Sequence, residues 1–169
     1  DSCELTIDTN TVNKYLKLSD NNRKVTHVWK DDQSYPDHPD RFDHYCNLLC
    51  STGLTGRCYW EVEWSGKVYV SVSYRRIGRK GDSVNCWFEN DQSWCLNCTV
   101  AGYSVCHNET RNTHHSGRVA VYVDYPAGSL SFYRVSSDTL IHLHTFTTTF
   151  TEPLYPGFWF WSGSSVSLC

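Results

Sequence analysis

Residues 57–65 (RCYWEVEWS) alternate apolar and polar side chains, which predicts a β-strand. Successive side chains of a strand point to opposite faces, so every second residue shares a face. One face carries Cys58, Trp60, Val62 and Trp64. The other face carries Tyr59, Glu61 and Glu63. We therefore expect a strand that buries one face in a core and turns the other toward solvent.

The same two-residue period recurs along the chain between short turn-forming stretches. Residues 118–135 predict a hairpin, in which alternating valines lead into a turn at 124–129 and a return strand. Further strands are predicted at 67–74, at 140–146 and within the last twelve residues, and residues 85–98 hold Trp87 and Trp94 around a turn at Asn90-Asp91. Many short strands separated by turns are typical of an all-β sandwich or barrel.

Three segments depart from the alternating pattern. Residues 5–25 predict an extended arm with turns at 8–10 and 19–22. Residues 31–43 hold five aspartates and two prolines, a mixture that suits neither strand nor helix, so we expect an exposed loop. The only candidates for a helical turn are LSDNN at 18–22 and the short piece Asn47–Leu49.

Composition and charge narrow the class of protein. The chain has 169 residues, a length that suits one domain, and 15% of them are aromatic. A formal charge of −3 gives no general attraction for nucleic acid or for an anionic membrane. No apolar run approaches the roughly 20 residues of a membrane-spanning helix. The chain has no methionine, from which we expect it to be a piece of a longer protein.

Glu61 and Glu63 are the first candidates for catalysis. On one strand their Cα atoms would lie about 7 Å apart. Retaining glycosidases place two carboxyl groups about 5 to 5.5 Å apart, but these flank a sugar cleft. Two carboxylates on adjacent outward positions of a strand are ordinarily a polar face, so we expect no catalytic residue here.

Cysteine and histidine spacing raises the question of a metal site. Cys95 and Cys98 have zinc-ligand spacing, Cys106-His107 follows, and His142 and His144 lie two apart. No second pair completes a four-ligand pattern, so we expect no metal and no cofactor. Nine cysteines leave at least one without an intrachain partner. In their strand-like contexts three of them read as small hydrophobes: Cys58, Cys86 and Cys106.

Three features of the sequence can each be interpreted in two ways. The basic turn of Arg75, Arg76, Arg79 and Lys80 suits a solvated hairpin tip, or a contact for phosphate or an acidic partner, and His114-His115 adjoins a similar polar loop. The run Phe158-Trp159-Phe160-Trp161 is either an exposed binding or lipid-interface surface, or a strand buried on both faces. Two sequons, at Asn97 and Asn108, stay open as glycosylation sites.

The order of these motifs resembles the PRY-SPRY family over nearly the whole chain. The arm LTIDTNTVNKYLKLSDNNRKV resembles the PRY segment, and we place this part at about residues 1–48. The SPRY segment, at about 49–169, is carried by LLCSTGLTGRCYWEVEW, RVAVYVDYPAGSLSFYRV and HTFTTTFTEPLYPGFWF. The resemblance implies one bent antiparallel β-sandwich, jelly-roll-like and with little helix. It also implies a recognition module without enzymatic activity of its own.

The resemblance also implies a function and a set of contact residues. Family members serve in tripartite-motif ubiquitin ligases, butyrophilins, fish NOD-like receptors and stonustoxin-type fish venom subunits, and they bind protein partners through loops at one end of the sandwich. The segment GLTGRCYWEVEWSG resembles the fish branch of the family. We expect the C-terminal domain of a secreted, pore-forming cytolytic and hemolytic toxin subunit, which meets a homologous subunit and a target-cell membrane through its parent protein. The alternative is a ligand-sensing domain of a cytoplasmic innate-immune protein. The contact positions carried over are Arg41, Asp43, Tyr74, Arg75, Arg79, Trp94, Asn97, Phe158 and Trp159.

Overall fold

The computed structural model describes residues 1–83, 88, 90–105 and 116–169, and the backbone of 108–111. The sequence expectations for Cys86, Trp87, Cys106, His107, His114 and His115 lie outside these residues, as does the side chain of Asn108. Within them there is no helix, and so none long and apolar enough to cross a membrane. Their strands are β1 Leu16–Ser19, β2 Lys24–His27, β3 Asn47–Leu49, β4 Arg57–Ser65, β5 Val68–Tyr74, β6 Ser93–Thr99, β7 Gly102–Val105, β8 Asn108–Arg111, β9 Ser116–Asp124, β10 Ser129–Ser136, β11 Thr139–Thr147, β12 Leu154–Phe160 and β13 Ser165–Leu168.

The strands form two antiparallel sheets, which confirms the predicted all-β sandwich. One sheet has seven strands in the order β1-β2-β13-β4-β9-β10-β11, and the other has six in the order β3-β12-β5-β6-β7-β8. The predicted hairpin is the β9–β10 pair, in which Val123 faces Leu130 and Val119 faces Arg134. The predicted arm supplies β1 and β2, which join the larger sheet through β13.

The core lies between the sheets and follows the alternation seen in the sequence. Strand β4 buries Cys58, Trp60, Val62 and Trp64, while Glu63 stays exposed. Strand β9, its neighbour, contributes Val119, Val121 and Val123 to the same core. Strand β12 of the smaller sheet faces them with Phe158 and Phe160.

A second, smaller apolar cluster lies on the outer face of the six-stranded sheet. It contains Phe42, Leu49, Tyr69, Ile77, Phe88 and Trp159. Phe42 comes from the loop before β3, and Ile77 comes from the turn after β5. This cluster anchors both segments on the sheet, and so it fixes the loops that carry four of the nine predicted contact residues.

Two details of the sequence expectations are wrong. Neither candidate for a helical turn is helical: residues 18–22 are the end of β1 and a turn, and Asn47–Leu49 is strand β3, which pairs with β12. The loop 31–43 is exposed over most of its length, but Phe42 is fully buried and Arg41 is 9% exposed. Three residues are too short a run for alternation to distinguish a strand, and an arginine gives no sign that it will be buried.

Cys58 is more than a small hydrophobe, which corrects the expectation for this residue. It forms a disulfide with Cys3, and the two Cα atoms are 5.5 Å apart, within the usual range for such a bond. The bond joins the N-terminal arm to the middle strand β4. The arm also lies beside this strand through backbone hydrogen bonds from Cys3 N to Tyr59 O and from Tyr59 N to Asp1 O.

Candidate functional site

The candidate site is the loop face, which we define as the surface formed by residues 31–43 and 75–83. These two segments come from distant parts of the chain, one between β2 and β3 and the other after β5. Four of the predicted contact residues lie on it: Arg41, Asp43, Arg75 and Arg79. The loop face is therefore where the structure brings together the largest share of the predicted site.

Arg41 holds the loop to the N-terminal arm from inside the protein. Its guanidinium donates to the carbonyl oxygens of Val12 at 2.7 Å, Pro36 at 3.0 Å and Thr9 at 3.1 Å. It also lies 5.1 Å from the ring centroid of Tyr35. A charge buried this deeply needs several hydrogen bonds, and here backbone carbonyls provide them. Arg41 is a positioning residue for the loop.

Arg79 does the same for the turn after β5. Its guanidinium donates to Asp40 O at 2.6 Å, to Arg75 O at 2.7 Å and to Ile77 O at 3.1 Å. It also lies 5.0 Å from the ring centroid of Phe42. The bond to Asp40 crosses between the two segments, so Arg79 ties one to the other.

Arg75 and Asp43 also connect the two segments, and their side chains are exposed enough to contact a partner. The Arg75 guanidinium bridges the carboxylates of Asp40 at 3.0 Å and Asp8 at 3.2 Å, and its side chain is 38% exposed. The Asp43 carboxylate accepts a hydrogen bond from the backbone of Gly81 at 2.7 Å. Lys80 donates across the same seam to the carbonyls of Arg41 and His38. The seam is held by charge-assisted bonds, which are the stronger kind.

A shallow depression of about 480 Å³ lies on this seam. Its wall carries Lys14, Asp32, Asp37, His38, Asp43 and Lys80 together with the ring of Tyr35. Both signs of charge are present, so the surface suits a partner with a complementary pattern of charges rather than a small apolar ligand.

Tyr74 and Trp94 form a separate aromatic group beside this seam. Tyr74 is 5% exposed, and its hydroxyl accepts a hydrogen bond from the backbone of Thr151 at 3.0 Å. The half-buried Trp94 ring meets Tyr74 edge-on at 5.4 Å and Phe150 at 5.2 Å. Such pairs stabilise the core beyond the area they bury. Trp94 is the member of this group that reaches the surface.

Asn97 and Trp159 lie in one cross-strand row on the outer face of the smaller sheet. Trp159 pairs with Tyr69, and Tyr69 pairs with Asn97 on the next strand. The rings of Tyr69 and Trp159 are 4.8 Å apart. The buried side-chain oxygen of Asn97 has no hydrogen-bond partner among the described residues. Tyr69, which joins the two predicted residues, was missed, because only the strand register reveals it.

Strand β12 is buried on both faces, which decides between the two interpretations of its aromatic run. Phe158 and Phe160 are each 1% exposed in the main core, and Trp159 is 7% exposed in the outer cluster. Trp161, one residue past the strand, is 58% exposed. Phe158 therefore supports the sheet from inside, and Trp161 is the part of the run that meets solvent.

The two glutamates of β4 belong to a surface charge network on the larger sheet. Arg118 pairs with Glu61 at 3.2 Å and with Glu63, and Tyr59 donates its hydroxyl hydrogen bond to Glu61. Both carboxylates are held by the same arginine on an open sheet face, whereas the carboxyl pair of a glycosidase flanks a sugar cleft. This is the arrangement of a polar sheet face.

His27 and Cys46 form an imidazole–thiol pair, with Nε2 3.0 Å from Sγ. Burial lowers the pKa of His27 and raises the pKa of Cys46 to about 11. Both shifts favour the neutral forms, so a thiol faces a neutral imidazole rather than forming the thiolate that a nucleophile requires. The described residues contain no group of three or more metal-ligating side chains.

Comparison with known proteins identifies the class. The SPRY-associated PRY domain model matches residues 5–54, and the SPRY domain model matches residues 57–169. The chain therefore belongs to the SPRY family, with a PRY segment preceding the SPRY domain. This confirms the resemblance inferred from its motifs. SPRY domains are in general non-catalytic modules that bind protein partners.

Relatives of two kinds are similar to the chain. It is 46% identical to neoverrucotoxin subunit alpha of Synanceia verrucosa, in an alignment that covers 93% of this chain and 23% of the toxin subunit. It is 37% identical to tripartite motif-containing protein 16 of Mus musculus, in an alignment that covers 94% of this chain and 30% of that protein. A solved stonustoxin structure superposes with a TM-score of 0.84 at 36% identity, covering 99% of this chain and 27% of that one. The crystal structure of the TRIM65 PSpry domain gives 0.84 at 28% identity, covering 99% and 91%. The chain spans about a quarter of the length of the toxin subunits it matches.

Proposed function

We propose that the chain is a non-catalytic recognition module that binds a protein partner through the loop face. The observation that supports this most directly is the seam of Arg75, Arg79 and Lys80 against the loop 31–43. It joins two segments from the PRY and SPRY parts into one surface through charge-assisted hydrogen bonds. A surface that is already rigid loses little conformational entropy when a partner binds.

Within this surface the predicted contact residues divide by accessibility. Asp43 and Arg75 meet the partner directly, and the neighbouring Asp37, His38 and Lys80 extend the contact. Arg41 and Arg79 hold the two segments in place, and Tyr74 and Phe158 act through the core. Trp94 and Asn97 form the flank of the contact on the adjoining sheet, and the buried Trp159 supports the loops through the outer cluster.

We further propose that the chain is a domain of a secreted, stonustoxin-like, pore-forming cytolytic toxin subunit. The toxin relatives support this, and so does the disulfide between Cys3 and Cys58, because such bonds persist in oxidising compartments and are rare in the cytosol. In such a toxin the partner is a homologous subunit. The names of the relatives support this, because they include both an alpha and a beta subunit of neoverrucotoxin.

The second candidate is a ligand-sensing domain of a cytoplasmic tripartite-motif or NOD-like receptor protein. The tripartite-motif relative supports it, as do the five described cysteines that have no disulfide: Cys46, Cys50, Cys95, Cys98 and Cys169. Peptide mapping of the protein from its native source under non-reducing conditions distinguishes the two. A Cys3–Cys58 linked peptide favours the secreted toxin, and free thiols at both positions favour the cytoplasmic protein.

The partner-binding proposal is tested with immobilised neoverrucotoxin subunit beta as the probe, by surface plasmon resonance. We expect the chain to bind it and the double variant Asp43→Ala, Arg75→Ala to bind at least about tenfold more weakly, since charge pairs at interfaces carry this much free energy. The matched control is Arg118→Ala, which removes a similarly exposed arginine from the larger sheet. Equal losses in both variants, or no binding by the unaltered chain, would count against a subunit contact at the loop face.

A further inference from the structure

A separate groove of about 470 Å³ lies where the end of β2, the segment before β3 and the end of β12 meet. We name it the aromatic groove. Its lining contains the rings of Trp29, Tyr45, Trp159 and Trp161 and the imidazoles of His27 and His44, and it contains no carboxylate. Its volume is within the range of small-ligand sites. None of the side chains that hold the seam of the loop face lines it, so the proposed partner contact does not account for it.

Two large aromatic rings at the rim of the groove are exposed to solvent. Trp29 is 61% exposed and Trp161 is 58% exposed, and they account for two of the four exposed large hydrophobic side chains among the described residues. Exposed aromatic surface beside a concave site usually marks a place of contact. Tryptophan in particular favours the boundary between water and lipid, because its ring is apolar while its N–H still finds a partner.

The ring faces at this rim already hold one cation. The Lys67 ammonium lies 5.7 Å from the ring centroid of Trp161 and 6.0 Å from that of Trp159. Both distances are within the range in which the negative face of the ring attracts a cation. No carboxylate of the described residues pairs with this ammonium, so it is available to a ligand anion.

The floor of the groove offers a ligand no net charge. Cys46 and His27 both line it, and they are bonded to each other as a thiol and an imidazole. A cation without N–H groups suits such a floor, since it needs ring faces rather than hydrogen-bond acceptors. Quaternary ammonium ions are recognised in this way by aromatic side chains.

We propose that the aromatic groove docks the phosphocholine headgroup of a zwitterionic lipid surface. The trimethylammonium group enters among the rings of Trp29 and Trp161, and the phosphate binds the Lys67 ammonium. The two charges of the headgroup therefore match a ring-lined cavity with one cation at its edge. The rings of Trp29 and Trp161 lie at the depth of the lipid headgroups, where they add apolar contact with the lipid.

The test uses the 169-residue chain and co-sedimentation with large vesicles of pure phosphatidylcholine. We expect binding, and we expect the double variant Trp29→Ala, Trp161→Ala to bind at least about tenfold more weakly, since two ring contacts with a cation account for a change of this size. Both residues are largely exposed, so the thermal midpoint of the variant stays near that of the unaltered chain. Leu140→Ala, which truncates a 45% exposed side chain on the other sheet, is the matched control and keeps full binding.

Two further measurements separate the headgroup from other ligands. Lys67→Gln weakens binding to phosphatidylcholine, because the phosphate loses its cation. Vesicles of phosphatidylglycerol, which lack the quaternary ammonium, bind less than phosphatidylcholine vesicles do. Stronger binding to phosphatidylglycerol, binding of soluble phosphocholine without binding of vesicles, or no vesicle binding at all would each overturn the proposal. The last result would point to a protein occupant. None of these outcomes depends on the loop face, so the two proposals fail separately.

Discussion

At the residue scale, the loop face shows how basic side chains divide between structure and contact. Arg41 and Arg79 direct their guanidinium groups at backbone carbonyls of neighbouring segments, whereas Arg75 stays 38% exposed between two carboxylates. Removing either of the first two would leave several carbonyl groups without their donor, which costs more than the loss of a surface charge. Variants of these two therefore report on the order of the loop before they report on a partner.

Phe158 and Trp161 provide a direct test of how the aromatic run is buried. Phe158→Ala removes a ring that is 1% exposed, so we expect a loss of about 3 to 5 kcal/mol in the free energy of unfolding. Trp161→Ala removes a larger ring that is 58% exposed, and we expect a change of less than about 1 kcal/mol. Chemical denaturation measures both. Similar losses of unfolding free energy in the two variants would show that the buried part of this run extends past Phe160 to Trp161.

His27 gives the fold a dependence on pH. Burial lowers its pKa below the ordinary value of 6.5, so the unfolded chain takes up a proton that the folded chain does not. The free energy of unfolding therefore falls as the pH drops through 6.5, and the loss levels off below the pKa of the folded state. We expect a shallower fall in His27→Gln when urea denaturation is compared at about pH 7.5 and pH 5.5.

The control for this comparison is His142→Gln, which removes an exposed histidine from β11. It accounts for the general effect of losing one histidine. The interpretation of His27 would be wrong if its variant kept the slope of the unaltered chain, or if both variants lost the same amount of it.

At the element scale, the sequence predicts which strands form better than it predicts how they pair. Alternation is a local property, so it identified β4, β5 and the β9–β10 hairpin from their own residues. Register is a property of two segments, and so the row that joins Trp159, Tyr69 and Asn97 was not predictable. The same reason explains why β3 was missed: its three residues become a strand only through their pairing with β12.

The turn between β9 and β10 depends on a glycine. Gly128 has a φ of +71°, which favours glycine, and an added Cβ would collide with the carbonyl oxygen of Thr148. Gly81 has a similar φ of +81° with open space around it. We expect Gly81→Ala to cost about 1 to 2 kcal/mol for its backbone conformation alone. Gly128→Ala should cost at least twice as much, because the collision adds to the same backbone cost.

Thermal and urea denaturation of the two glycine variants measure this difference. Because the two backbones have similar φ values, the comparison isolates the contact with Thr148 from the conformational cost. Equal losses would mean that the segment around Thr148 moves away at little cost, and that it does not hold the hairpin turn.

At the scale of the whole molecule, the PRY and SPRY parts form one sandwich because the first strands and the last strand share a sheet. Strand β13 lies between β2 and β4, so the end of the chain is paired with its beginning. The loop face repeats this connection at one end, where Arg75 of the SPRY part bridges Asp8 and Asp40 of the PRY part. The candidate site exists only in the folded chain, and this is why its residues do not form a motif in the sequence.

The disulfide between Cys3 and Cys58 is the third connection between the two parts, and it closes a loop of 55 residues. A cross-link over a loop of this size stabilises the folded state by about 4 kcal/mol in the chain-entropy account, because it restricts the unfolded chain. We therefore expect Cys3→Ser to lower the free energy of unfolding by up to about this amount. Cys3 lies at the edge of the core, so the substitution removes little packing.

The reducing agent provides the control for this last prediction. Dithiothreitol should lower the thermal midpoint of the unaltered chain and leave that of Cys3→Ser nearly unchanged, since the variant has no bond to lose. Cys169→Ser, which alters an exposed cysteine without a disulfide, should respond to the reductant as the unaltered chain does. If Cys3→Ser and the unaltered chain melt alike without reductant, the bond does not contribute to stability.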